Sequence, residues 1–261
     1  MNKIIERLYN DFFRPSKEAE YEKILVCAKE AGYEFHTMLS FEDVIEKGID
    51  PSKKYLIMRR DIDTSDHKIL KKFLELEKQY DARATYYFRW STINKKLMNE
   101  IAQSGGESSY HFEEIATYCY RHRIRSKNDL LPHMEEIRDI LISNIIKFRN
   151  VTGQPCLTIA SHGDYVNTKF QFQNKELVDE RVRAATSIVR EAYDRKHFDV
   201  LTCRIADQVE VNHFTEKAIE AINRGEPVLE LLTHPRQWNS PLWINFKEEF
   251  TRVLKGLYMQ L

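Results

Sequence analysis

Residues 55–88 read YLIMRRDIDTSDHKILKKFLELEKQYDARATYYF. Tyr55–Met58 is a short apolar run of the length of a buried strand. A polar cluster follows from Arg59 to Asp66, and Thr64-Ser65-Asp66 carries side chains that cap helix N-termini. A helix is expected from there to about Tyr80, and Ala84–Phe88 is the next strand. Strand, helix, strand in this order is the repeating unit of a parallel sheet.

The unit recurs downstream. Ser91 caps a helix to about Gln103, which Ser104-Gly105-Gly106 stops. Glu107–Tyr110 is a strand leading into His111. Asn128 or Asp129 starts a helix to about Asn150, with Pro132 in its first turn. Cys156–Ala160 is a strand that delivers Ser161-His162-Gly163, and polar Asp164–Lys175 reads as a loop. Glu176–Tyr193 reads as helix, Phe198–Cys203 as strand and Glu216–Arg224 as helix. Val228–Leu232 is the last strand, ending at Thr233-His234-Pro235, and an amphipathic helix covers Trp243–Met259. Upstream, Ile24, Leu25, Ala28 and Ala31 share one helical period, so the first 50 residues read as helical. The expected fold class is α/β with a mainly parallel sheet.

Composition narrows the class of function. The 261 residues hold 40 Lys+Arg and 40 Asp+Glu, so the formal net charge is zero. That balance argues against a nucleic-acid partner or a general binder of anionic membranes, which would carry a basic excess. No stretch has the length and apolarity of an integral membrane segment. Cys27, Cys119, Cys156 and Cys203 are far apart and form no CxxC pair, which suits reduced thiols in a cytoplasmic protein. The N-terminus lacks the apolar core of a signal peptide. The basic run Tyr120–Arg125 reads first as a solvated face.

In parallel α/β folds chemistry gathers at the carboxyl ends of strands. Asp61 and Asp63 follow the first strand of the quoted stretch, His111 another, His162 another and His234 the last. Two carboxylates two residues apart repel unless a cation or proton lies between them. With imidazoles beside them they suit a divalent metal: zinc foremost, with cobalt, nickel or iron as alternatives. A metal-bound water is a nucleophile at neutral pH, a second carboxylate can take its proton, and an opposing histidine can protonate a leaving group.

The quoted stretch resembles the first motif of the polysaccharide deacetylase superfamily (NodB-homology, carbohydrate esterase family 4), in a divergent branch whose opening motif reads like RHDVD. GGESSYHFEEIA at 105–116 resembles that branch's second motif, ASHGDYVN at 160–167 its SHG motif, and LLTHPRQW at 231–238 its closing strand. The resemblance spans about residues 20–261. It implies a distorted (β/α)7-type barrel at 51–261 behind a helical extension at 1–50, all within one domain. It also implies metal-dependent removal of an N-acetyl or other acyl group from an amino sugar, in surface-polysaccharide assembly. The substrate is then a small-molecule, lipid-linked or nucleotide-linked sugar.

Carried onto this chain, the resemblance makes Asp61 the catalytic base and His234 the general acid. Asp63 and His111 become metal ligands. The common H-x-x-x-H pattern is missing, because Ile115 stands four residues after His111, and His162 is expected to supply the absent ligand. Arg60 is expected to pin Asp61 by charge, Asp164 to orient a ligand histidine, and Arg236 and Trp238 to meet substrate. Glu113 could face the pocket but reads first as a helix-start glutamate, and Trp243 reads as a core residue at least as readily as a sugar-stacking one. Two other readings stand beside this one. One is an inactive barrel that binds a sugar or a protein; the other is a glycoside hydrolase, which needs two separated carboxylates.

Overall fold

The computed structural model describes residues 16–207, 211–239, 241–247, 250 and 251. The chain enters through helix α1 (Glu18–Glu30), strand β1 (Tyr33–His36) and helix α2 (Met38–Lys47). Strand β2 (Lys54–Ile62) and helix α3 (His67–Tyr80) follow. Next come β3 (Thr85–Phe88), α4 (Lys95–Gln103) and β4 (Glu107–Phe112). The middle of the chain forms α5 (Glu114–His122), the short α6 (Lys127–Leu130), α7 (Met134–Thr152) and β5 (Thr158–Ser161). After these lie α8 (Tyr165–Phe170), α9 (Glu180–Thr186), β6 (Arg190–Glu191) and α10 (Arg195–Phe198). The described part ends with β7 (Cys203–Ala206), α11 (Val211–Arg224) and β8 (Val228–Thr233), and residues 242–247, 250 and 251 are helical.

Among the described residues every strand pairs in parallel, in the order β6-β5-β4-β3-β2-β8-β7, with β1 beside the first half of β2. The sheet curls into a half-barrel with helices around it, a distorted (β/α) barrel whose two ends are β6 and β7. β2 is the axis of the arrangement. Its residues 54–57 pair with β1, residues 59–62 with β3, and residues 55–60 with β8 on the other side.

The outer face of the sheet carries the main core. Leu56, Met58, Ile62, Phe88, Tyr110, Phe112, Leu229 and Leu231 pack against Leu70, Phe73, Leu97, Ile101, Leu141 and Phe148 from the helices. Gly106 lets β4 start close beneath α4, since a Cβ there would lie 2.8 Å from Ile101 Cγ2.

One charged residue belongs to this outer face. Arg60 lies between the rings of Tyr21, Phe73 and Tyr86, at 4.4, 4.6 and 5.4 Å. Its Nε donates to Glu77 of α3 at 3.0 Å and its Nη1 to Thr233 Oγ1 of β8 at 2.8 Å. Tyr21 and Tyr86 donate to the same Glu77 carboxylate at 2.9 and 2.8 Å. This buried cluster ties β2, β3 and β8 to α1 and α3.

Inside the barrel the first layer is apolar. Met38 and Phe41 of α2 meet Tyr55, Ile57, Tyr87, Ala160 and Val228 there. The backbone N–H groups of Met38 and Leu39 donate to Thr85 Oγ1 and Glu107 Oε2 at 2.7 and 3.0 Å, at the starts of β3 and β4. So α2 closes the floor of the barrel, opposite the strand exits, with its positive N-terminus on a buried carboxylate.

Several sequence expectations shift. The first 50 residues hold β1 as well as helices. The expected loop at Asp164–Lys175 contains α8, capped by Asp164. The expected helix Glu176–Tyr193 is only α9, followed by β6. The expected strand Phe198–Cys203 lies too early: Phe198 ends α10, and the strand starts at Cys203. Trp243 is 85% exposed rather than core. The expected helix over Trp243–Met259 is described only as far as residue 251. Arg121, His122, Arg123 and Arg125 are exposed, as a solvated face requires. Among the described residues no helix is long and apolar enough to cross a membrane.

Removing one member of the outer ion pair strands the other in a dry site. Glu77→Ala is expected to destabilise the protein by about 3–5 kcal/mol in urea denaturation at pH 7. The apolar double replacement Arg60→Met with Glu77→Leu should recover part of that loss, the remainder being held by the buried Tyr21 and Tyr86 hydroxyls, which lose their acceptor.

Candidate active site and metal centre

The strand exits place the site. In an extended strand alternate side chains share a face, so Arg59 and Asp61 point into the barrel while Arg60 and Ile62 point out. Arg59 accordingly makes the contact with Asp61, through Nε to Oδ1 at 2.9 Å and Nη2 to Oδ2 at 2.7 Å. The guanidinium lies over the Tyr193 ring at 4.5 Å, with Tyr87 at 5.6 Å. The expectation that Arg60 pins Asp61 is corrected here: adjacent strand residues face opposite ways, and Arg60 belongs to the Glu77 cluster. Burial would raise the Asp61 carboxyl, but the Arg59 charge and then His111 outweigh it and hold the group below its ordinary range.

Asp63 follows the end of β2 on the same side. His111, next to last in β4, has Nδ1 against the Ala160 carbonyl at 2.9 Å. Donation there leaves Nε2 as the bare nitrogen. That Nε2 lies 3.5 Å from Asp63 Oδ1 and 3.7 Å from Asp61 Oδ2. His162, just past β5, brings its own Nε2 to 3.5 Å from the same Asp63 oxygen. The two rings meet edge to face, with centroids 5.1 Å apart. One ligand atom each from Asp63, His111 and His162 lie within 4.8 Å of one another.

These residues fit a divalent cation. Asp63 Oδ1 is buried and has no hydrogen-bond partner, although two imidazoles approach it. Its 3.5 Å separations match the edge of a tetrahedral site, about 3.4 Å for metal–ligand distances near 2.1 Å. Burial pushes His162 down to about 4 against the pull of Asp63, with Arg89 and His111 adding to the shift. It is therefore neutral at pH 7, the form that ligates. Burial opposes the Asp63 charge too, but the approach of His111 and the fields of His162 and His234 hold that carboxyl well below its usual range.

His234 follows β8. Its Nδ1 lies 2.7 Å from Asp207 Oδ1, and its backbone N–H donates to Asp207 Oδ2 at 2.7 Å. Burial would lower the imidazole, but Asp207, then Asp63 and Asp61, raise it to about 9. Trp238 Nε1 donates to Asp207 Oδ2 at 2.8 Å. Trp238 is fully buried, edge-on to Tyr21, Phe73 and Phe214. The expectation that Trp238 meets substrate is corrected accordingly: its ring is core, and its N–H steadies Asp207.

Asp164 caps α8 at Val166 N, 3.1 Å away, and accepts from the Tyr120 hydroxyl at 2.6 Å. The carboxylate that faces His162 is Glu113, with Oε2 3.5 Å from Nδ1. Arg236 is half-buried in the turn Pro235–Gln237 after His234. Ile115 is fully buried in the outer core. Sequence reasoning put Arg60 ahead of Arg59 as the partner of Asp61, and it missed Asp207 as the partner of His234. Strand alternation signals the first. A correctly placed β7 would have signalled the second, since Asp207 stands at its exit.

No protein-family model matches the chain, and no curated protein matches it in sequence. Solved structures do match. One is a CE4 family pseudoenzyme, BA3943 of Bacillus anthracis, at 16% identity and TM-score 0.43, over 81% of this chain and 63% of that one. Another is IcaB of Ammonifex degensii, at 14% identity and TM-score 0.43, over 60% and 75%. A third is the deacetylase PplD of Streptococcus pyogenes in complex with acetate, at 14% identity and TM-score 0.43, over 90% and 86%. The chain thus spans less than two thirds of the first of these. Matches of this depth assign no activity; the chemistry open to the site is set by its own side chains.

Replacing Arg59 tests the inner pair. Arg59→Met leaves the buried Asp61 charge unpaired, so its pKa in the variant rises above the unfolded value. The variant should lose about 3–5 kcal/mol of stability at pH 7. The deficit should shrink as pH falls through the raised pKa and the carboxyl neutralises. Urea denaturation at pH 7 and pH 5 measures both.

Proposed function

We propose that the chain is a metal-dependent hydrolase that removes an N-acetyl or other acyl group from an amino sugar, as a divergent member of the polysaccharide deacetylase superfamily. The observation that carries this reading is the placement of three ligand atoms around one point, with an arginine-paired aspartate and an aspartate-paired histidine nearby. Asp63, His111 and His162 would hold the ion, zinc foremost. When bound, a divalent ion polarises the acyl carbonyl and lowers the pKa of a water.

The chain's own groups then divide the proton work. Asp61 is ionised and fixed in place by Arg59, and it accepts the proton of the attacking water. His234 enters protonated and held at Nδ1 by Asp207, so Nε2 gives a proton to the departing nitrogen. The C–N bond breaks, and the products are a carboxylic acid and the free amine. Opposite charge states at neutral pH are what a base and an acid in one site require. The glycoside hydrolase reading has less support, because Asp61 is engaged by Arg59 and Asp63 by two histidines.

Two experiments test the proposal. Protein purified without chelator or nickel affinity should carry close to one equivalent of zinc or a similar ion by elemental analysis, and His162→Ala should lose it. A folded wild type that is metal-free and takes up neither zinc nor cobalt would instead favour the sugar- or protein-binding barrel. The second experiment is a pH profile of kcat/KM on an N-acetylated amino sugar. Activity should fall as pH rises through the pKa of His234. A cation on Asp63 removes part of the raising field, so this limb should lie somewhat below about 9. Asp207→Asn removes the largest raising partner, and the limb should move down by about one pH unit or more.

A further inference from the structure

We propose that Glu113 is the positioning carboxylate that orients His162 for metal binding, and that Arg89 clamps Glu113 for that task. This inference rests on the metal centre proposed above. His162 stands between two carboxylates: Nε2 faces Asp63 and Nδ1 faces Glu113, each at 3.5 Å. Glu113 is itself gripped by Arg89, through Nε to Oε1 at 3.1 Å and Nη2 to Oε2 at 2.6 Å. Glu113 occupies the N-cap position of α5, yet its side chain makes no capping bond and is turned to Arg89 and His162 instead.

The backbone of His162 is fixed independently. Its N–H donates to the Phe112 carbonyl at 2.8 Å, and Asn174 Nδ2 donates to its carbonyl at 2.6 Å. What remains free is rotation of the ring, and Nδ1 is buried without a closed hydrogen bond. A small rotation brings that N–H onto Glu113, sets Nε2 toward Asp63 and raises its basicity. His111 already has the equivalent support from the Ala160 carbonyl.

The test is zinc affinity, by competition with a chromophoric chelator, together with the visible spectrum of the cobalt form. Near-UV circular dichroism monitors the fold. Glu113→Ala is expected to weaken zinc by about 10–100-fold. Glu113→Gln keeps the shape and an accepting oxygen but not the charge. It should weaken zinc by about threefold to tenfold and shift the cobalt bands, with an unchanged near-UV spectrum. Should the alanine variant fail to fold, the glutamine variant decides. Folded variants with zinc affinity within about twofold of wild type and unshifted cobalt bands overturn the role of Glu113 alone. A wild type that binds no metal overturns the centre itself.

Discussion

The pleat of β2 governs both the fold and the site. Arg59 and Arg60 are neighbours in sequence and go to opposite faces of the same strand, each into a buried carboxylate. The inner pair with Asp61 lies within the barrel; the outer pair with Glu77 locks the sheet to α1 and α3. A buried charge without a partner is costly. A slip of one residue in β2 would reverse its faces and place each arginine where the other's carboxylate is absent. The register that orients the proposed base is therefore the register that holds the helices on.

The second half of the site leans on the same structure. Trp238 reaches Asp207 with its N–H and presses its ring against Tyr21 and Phe73, two of the three rings that also cover Arg60. Thr233, just before His234, takes a hydrogen bond from Arg60. The proposed acid and the outer ion pair thus share one wall of packed aromatic groups. Damage to the outer core at Phe73 would reach His234 through that wall, without touching the mouth of the barrel.

Much of this is legible in the sequence because strand exits mark the site. Asp61, Asp63, His111, His162 and His234 stand at or beside the ends of apolar runs, and the parallel fold gathers those ends. The departures have physical causes. Nearness in sequence points to Arg60, whereas alternation gives the contact to Arg59. Asp207 is hidden because the apolar residues of Phe198–Cys203 read as the strand, while β7 itself is short and only half-buried. β1 has only four residues, and the signals that bound it, Gly32 at positive φ and Thr37 capping α2, are overridden by the apolar period upstream, which reads as helix. Glu113 reads as a helix-start acid, and only the folded chain shows it facing His162.

Ile115 has a consequence for how such a site changes over generations. Ile115, four residues after His111 and in the first turn of α5, is fully buried in the outer core. A histidine introduced there would bury a polar ring in an apolar layer, at a cost in stability. A histidine at 115 therefore costs stability before it can offer a ligand, which sets a barrier between the proposed ligand set and the helical pattern.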